Sequence, residues 1–311
     1  MGLGHLTRCI ALAEAFAASG HTCQFVGSVP DFLTQTIPGE MPLSCAGPEH
    51  DWTNDEFIAL AGNASLLVTD HYEIGADWQS HSPAPVLAIT DPPLRPQHCE
   101  LLLLPTVFDA EIKGAMTAPA HCLLRSAVKA ARREPKQGKR LLVSCGGGQD
   151  NGLTVRILDA LISDDKLKEI QATIVVPDAA AGSIEVGERV AALSNAQLVS
   201  NVTDMAGLIA AHDIAIGAPG GSALERACLG LAQILVPIAK NQEALGTAFA
   251  ARNCAIVLPA NAGLQGIAAA LRMLVSDDAL RKSMASNGFA LVDGRGAERV
   301  VAKVEKRMFH N

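Results

Sequence analysis

Short aliphatic runs alternate with amphipathic helical stretches from one end of this chain to the other, and that alternation constrains its fold more than any other feature. Runs of this kind, separated by helix-length segments, are the pattern of βαβ units and parallel sheets. The pattern predicts strands at Cys23–Val26, Ser65–Thr69, Val86–Thr90 and Glu100–Leu104 in the first half. In the second half it predicts them at Arg140–Cys145, Ala172–Val176, Gln197–Ser200, Asp213–Gly217, Gln233–Pro237 and Ala255–Leu258. Between the two sets runs a polar stretch from Lys129 to Lys139, carrying Pro135 and Gly138, which would be costly to bury. At 311 residues the chain can hold two domains, each with its own core. The expectation is α/β: two doubly wound, Rossmann-like parallel-sheet domains, one over 1–134 and one over 135–311, facing a cleft. Ligands of such sheets bind at the carboxyl ends of the strands.

Composition narrows the partners. Lys and Arg number 25 against 32 Asp and Glu, a formal net charge of −7, so no basic field exists for nucleic acid or an anionic lipid surface. An anionic ligand would have to be held locally, by backbone N–H groups and helix N-termini. The eight cysteines are irregularly spaced, with no Cys-x-x-Cys pair, which predicts free buried thiols rather than a disulfide framework or a zinc site. No metal and no organic cofactor is expected. No apolar stretch approaches the roughly 20 residues that span a bilayer, and no basic segment leads into an apolar one at the N-terminus. The expectation is a cytoplasmic protein without a membrane anchor, its oligomeric state open. Aromatic residues make up 4 %, so the core must be aliphatic.

In the second half, Leu141-Leu-Val-Ser-Cys runs from a strand into Gly146, Gly147 and Gly148, with a helix expected from about Asn151. Glycines there let the backbone approach a diphosphate, and a helix N-terminus supplies N–H donors and partial positive charge. The loop is neither a Walker A sequence nor a G-x-G-x-x-G fingerprint, and it also reads as a plain βα turn. The stretch from His212 to Arg226 repeats the design, with Gly220, Gly221 and then Ser222 as a possible N-cap. Glu225 falls in the first turn of that helix, where it either favours the macrodipole or accepts hydrogen bonds from a ribose diol. Asn241 and Gln242 follow the strand ending at Pro237, as helix cap or as partners for sugar hydroxyls.

In the first half, Asp70, His71 and Tyr72 come directly after a strand, three polar groups able to hydrogen-bond or transfer a proton. Asp91 holds the corresponding place one strand later, but Pro92-Pro93 behind it favours a turn or cap. Gly2-Leu3-Gly4-His5 reads as a tight loop feeding a helix from Leu6 to Ser19, closed by Gly20. His5, in the first turn, meets the positive end of the helix dipole, which favours a neutral ring able to act as a general base. A lone histidine is more often structural. His71 alone has comparable surroundings; His21, His50, His81, His98, His121, His212 and His310 read as surface or turn residues.

Together the motifs resemble a known family. They are Gly2-x-Gly4-His5-x-x-Arg8-Cys9, Asp70-His71-Tyr72, Leu123-Leu-Arg125, Ser144-x-Gly-Gly, Gly217-Ala with Gly-Gly-Ser, Glu225-Arg226, Ala239-x-Asn241-Gln242 and Asp293-Gly-x-Gly. In order and spacing they are similar to the UDP-2,4-diacetamido-2,4,6-trideoxy-β-L-altropyranose hydrolases of pseudaminic acid biosynthesis, GT-B proteins related to the glycosyltransferase MurG. The resemblance implies metal-independent, inverting release of UDP from a UDP-sugar, a step that supplies flagellar or surface glycan. By matching position it implies His5 as the group that activates water, beside Gly4 in its motif, with Asp70, His71, Tyr72, Asn241 and Gln242 around the sugar. It further implies Gly146, Gly147, Gly148, Gly220, Gly221 and Ser222 at the diphosphate, Glu225 at the ribose and the backbone near Val202 at the uracil. Leu224 stands where the family carries Trp, Thr90-Asp91 where it carries paired Asp, and Leu104-Pro-Thr where it carries Asp-Gln-Asn, departures that bear on the sugar. Relatives also have a strand before Gly-x-Gly-His; its lack here predicts a recorded start that lies too late, with Leu12 and the strand near Val68 partly uncovered. A GT-B glycosyltransferase and an inactive sugar-nucleotide binding module are the alternatives.

Overall fold

The computed structural model describes residues 3–27, 37–39, 41–44, 59, 62–108, 112–135, 138–148, 150–177 and 183–308. Cys45, His50 and His310 lie outside them. The chain divides into two compact units, Met1–Ser126 with Arg295–Asn311, and Ala127–Gly294. This differs from a single cut at 134/135, because the C-terminal segment returns to the first unit.

The first unit opens with α1 (Leu3–Ala18), so Leu3, Gly4 and His5 are helical rather than a tight loop. The first-turn N–H groups of a helix have no partners within it, so glycine is tolerated there without a special turn. At the other end Gly20, at φ +88°, sits between Gly20 N–H to Ala17 O (3.0 Å) and His21 N–H to Phe16 O (3.0 Å), a Schellman closure. Strands β1 (Phe25–Val26) and β2 (Leu43–Ser44) form a short parallel pair. Then come β3 (Leu67–Thr69), α2 (Ala76–Gln79), β4 (Val86–Ile89), β5 (Leu101–Phe108) and β6 (Met116–Ala118), the strands forming a parallel sheet in sequence order. β5 passes through Pro105, and its register against β6 slips between Leu104 and Phe108, where the missing ladder donor is accommodated.

The second unit starts with α3 (Ser126–Ala131), β7 (Leu141–Ser144), α4 (Leu153–Ile162), β8 (Ala172–Val175), α5 (Ile184–Ala191), β9 (Ala196–Val199) and α6 (Met205–Ala210). It continues with β10 (Ile214–Gly217), α7 (Gly221–Cys228), β11 (Ala232–Leu235), a 3₁₀ turn (Lys240–Gln242), α8 (Glu243–Ala251), β12 (Ala255–Val257), α9 (Leu264–Ser276) and α10 (Asp278–Leu291). All its strand pairs are parallel, in the order β12-β11-β10-β7-β8-β9. Strand order reverses between β7 and β10, so the topological switch point lies where both glycine loops leave the sheet. Leu141, Val143, Ile157, Ile216, Ile234 and Leu271 form its aliphatic core.

The last helix, α11 (Gly296–Met308), packs in the first unit, where Val300, Val301 and Val304 cluster with Leu12, Phe16, Leu87 and Leu103. Leu12 is therefore 2 % exposed, not uncovered, while Val68 is half-buried. Gly296 makes the docking possible: a Cβ there would lie 2.0 Å from the Cys122 carbonyl oxygen.

Candidate functional site

In the first unit, α1, the ends of β3 and β4, and β5 bring five polar side chains together. Asp70 Oδ1 is 2.7 Å from His5 Nδ1, and Arg8 grips the same carboxylate through Nε to Oδ2 and Nη2 to Oδ1, both at 2.6 Å. Arg8 Nη1 donates to Asp91 Oδ2 at 2.6 Å, and Thr106 Oγ1 donates to Asp91 Oδ1 at 2.6 Å. The Asp70 side chain is 3 % exposed. Burial alone would raise its carboxyl, but the hydrogen bonds from Arg8 and His5 and the Arg8 charge outweigh that and hold it below the ordinary carboxylate range. For Arg8, burial disfavours the charge, and Asp70 and Asp91 more than compensate and raise it. An ionised Asp70 can only accept, so its bond to His5 requires the proton on Nδ1; the 3.1 Å contact of Arg8 Nη2 with that nitrogen then is not a hydrogen bond. With the proton on Nδ1, Nε2 is the nitrogen that can accept one.

The Tyr72 ring meets His5 edge-on at 4.7 Å and is 46 % exposed. His71, next to it, is half-buried, accepts the Glu73 N–H at Nδ1 (3.1 Å), and is held low chiefly by burial. Gly4 is exposed one residue before His5. Cys9 Sγ lies 3.4 Å from Asp70 Oδ2, and burial pushes its thiol well up, so it is no nucleophile. Sequence reasoning left Arg8 without a role and favoured a turn or cap for Asp91. The signal for Arg8 was its spacing, three residues after His5 and thus on the same helix face; Asp91 was marked only by its place just after a strand, and nothing local marked Thr106.

In the second unit, Gly146, Gly147 and Gly148 are exposed at the end of β7, with Gly146 at φ +107°. The helix behind them begins at Leu153, not Asn151, because Asn151 (φ 52°) and Gly152 (φ 72°) are left-handed. Asp150 closes that helix start, accepting from Gly152 N–H and Thr154 N–H at 2.9 Å each, so α4 meets its loop with a carboxylate already on its first turn. α7 is different: its N-cap is Gly220, not Ser222, and no side chain caps it. A Cβ on Gly220 or Gly221 would meet nothing within 4 Å, so this N-terminus has open space in front of it. With the helix starting at Gly221, half-buried Glu225 falls in the second turn, beyond the reach of the macrodipole argument. Asn151 Nδ2 donates to Ile238 O (3.0 Å), tying the first glycine loop to the segment that carries exposed Asn241. Gln242 Oε1 accepts from Ile238 N–H at 2.9 Å and shapes that turn. Val202 is half-buried after β9, next to left-handed Asn201 (φ 50°). The glycine loops and the Asn241 turn thus share one end of one sheet, with Val202 at the same end of β9.

The whole architecture has solved counterparts. Superposition on MurG of Acinetobacter baumannii covers 97 % of this chain and 96 % of that one, with a TM-score of 0.68 at 15 % identity. The spinosyn rhamnosyltransferase SpnG, complexed with thymidine diphosphate, superposes over 97 % of both chains, with a TM-score of 0.65 at 18 % identity. The chain has the GT-B fold. In sequence it is 28 % identical over 189 residues to the spore coat polysaccharide biosynthesis protein SpsG of Bacillus subtilis (strain 168). That match takes in 59 % of this chain and 56 % of SpsG, so the chain spans little more than half the length of this curated relative. No family model matches the chain. Among the described residues no helix of this GT-B chain is long and apolar enough to cross a membrane.

Proposed function

We propose that this chain hydrolyses a nucleotide-linked sugar, cleaving the bond between the anomeric carbon and a diphosphate. The observation that carries the reading is the buried His5–Asp70–Arg8 relay, which leaves Nε2 of His5 as a base backed by a fixed carboxylate. Nε2 takes a proton from water as its oxygen attacks the anomeric carbon, the carbon–oxygen bond to the phosphate breaks with inversion, and the electron pair leaves on the nucleoside diphosphate. Exposed glycines and the open N-terminus of α7 answer the charge that develops on that leaving group. With both oxygens engaged, Asp70 orients His5; the sequence resemblance assigns His71, Tyr72, Asn241 and Gln242 to the sugar. Glu225 takes the ribose and the backbone near Val202 the base. The sequence resemblance makes UDP the nucleotide and a diacetamido-trideoxyhexose of altrose type the sugar. No step calls for a metal, and the reaction is placed in the cytoplasm.

A second reading is sugar transfer, with an acceptor hydroxyl replacing water at His5. It is favoured by the likeness in fold to SpnG, which is named a rhamnosyltransferase. One experiment separates the two: the UDP-sugar is incubated without acceptor while UDP and free sugar are followed by NMR. Equimolar UDP and free sugar, first seen as the inverted anomer, supports hydrolysis. UDP released only when an acceptor is added supports transfer, and UDP bound without turnover overturns both.

A further inference from the structure

Arg226 heads the fully buried side chains by size among the described residues, at 1 % exposure. Its guanidinium lies between the ends of β7 and β10, beneath the two glycine loops. Nε donates to Gln233 Oε1 (2.9 Å), Nη2 to the Ala218 carbonyl (3.0 Å), and Nη1 to the Ser144 carbonyl (3.2 Å) and Ser222 Oγ (3.4 Å). These acceptors are all neutral. Burial pulls the group down to about 10, so it stays a cation at neutral pH, with no carboxylate among those acceptors. Cys145 and Glu225 favour the charge through space, but no carboxylate is bonded to the guanidinium. A buried cation without a bonded counter-ion is costly, and this one is set under the two loops, where Cβ atoms on Gly146, Gly148, Gly220 or Gly221 would meet open space.

We propose that Arg226 is a positioning residue for a nucleoside diphosphate, its charge, which no carboxylate of the protein contacts by a hydrogen bond, complemented by the phosphates above the loops. Two effects combine. The buried charge favours an anion at the switch point through a medium of low dielectric. The guanidinium fork also turns the Ser144 and Ala218 carbonyls inward, so that neither oxygen faces the phosphates, and the Cys145 N–H, opposite the Ser144 carbonyl in one trans peptide, is turned away from the cation. Gly217 is what lets the strands close over this arrangement, since a Cβ there would lie 1.9 Å from Ser144 O. The inference rests on the reading that the second unit binds a nucleoside diphosphate.

The test compares UDP with uridine, by calorimetry and ligand-observed NMR, on the full chain and on Arg226→Met and Gln233→Glu. Arg226→Met removes the charge at similar length. Gln233→Glu keeps the arginine but sets a carboxylate on its Nε, at the cost of the bond from Gln233 Nε2 to Ala223 O. Both variants should bind UDP at least tenfold more weakly while uridine affinity stays within twofold. If Arg226→Met does not fold, Gln233→Glu decides alone. Equal losses for UDP and uridine, or no loss for UDP, in a folded variant overturn the inference and leave Arg226 a packing residue. A wild-type chain that binds UDP no better than uridine overturns it too. A wild-type chain that binds neither overturns the nucleotide reading itself.

Discussion

His5, Asp70 and Arg8 form one device whose parts should fail in different ways. His5→Ala removes the base, so turnover should fall by about 10²- to 10⁴-fold, with UDP affinity near that of the wild type and a stability loss of about 1.5–3 kcal/mol for the lost bond to the Asp70 carboxylate. Asp70→Ala takes from buried Arg8 the carboxylate it grips with two bonds and leaves it Asp91 alone, so unfolding in urea should report a loss of about 3 kcal/mol, the low end for a broken buried pair. Asp70 also sets an acid limit. Its carboxyl titrates lower in the folded chain than its ordinary unfolded value of about 3.9, so the fold favours the ionised form. The stability this supplies is fully present above that unfolded value and disappears as pH falls through the lower folded one. The stability difference between wild type and Asp70→Asn should therefore be constant above about pH 5 and shrink below about pH 4; a difference that grows on acidification would contradict the assignment.

At the scale of elements, the two helices that follow the glycine loops present different N-termini. Asp150 closes α4, so Asp150→Ala should cost about 1 kcal/mol of stability while UDP binds at least as tightly, because a carboxylate leaves the phosphate side. A marked loss of UDP affinity would show that Asp150 holds the loop in its binding form. Gly217→Ala is the opposite case. The clash is with the Ser144 backbone and cannot be relieved by a side-chain rotation, so a loss of about 3 kcal/mol or more is expected, with UDP binding abolished in whatever folds.

For the molecule as a whole, the telling feature is that the chain crosses from the second unit back to the first. A chain ending at Gly294 would lack α11 and uncover Leu12, Phe16 and Leu87, where Val300, Val301 and Val304 now pack. Each buried valine is worth about 1.5–3 kcal/mol, so the first unit should lose its protection in hydrogen exchange. The second unit, whose core lies within Ala127–Gly294, should stay protected and still bind UDP. Loss of protection in both units together would mean that their stabilities are coupled.

The alternation of aliphatic runs with helical stretches was enough to read the parallel-sheet fold, because a strand buried on both faces must be apolar along its length. Each strand expected from sequence has its counterpart, Leu67–Thr69 within Ser65–Thr69 for example, whereas Leu43–Ser44 and Met116–Ala118 were too short or too mixed to read. The glycine loops and the Asp70-His71-Tyr72 cluster were legible for a related reason, since polar and glycine residues directly after an aliphatic run fall at a strand's carboxyl end. What no local pattern holds is which distant groups a buried charge meets. Arg8 and Asp91 stand 83 positions apart, and Arg226 and Ser144 stand 82 apart. Their pairing depends on strand order and on the cost of burying a charge, and both exist only once the sheets have formed. The return of α11 was decided in the same way: its valines need an apolar face, and the fold supplies it on α1 and the first sheet rather than on the unit that precedes it in the chain.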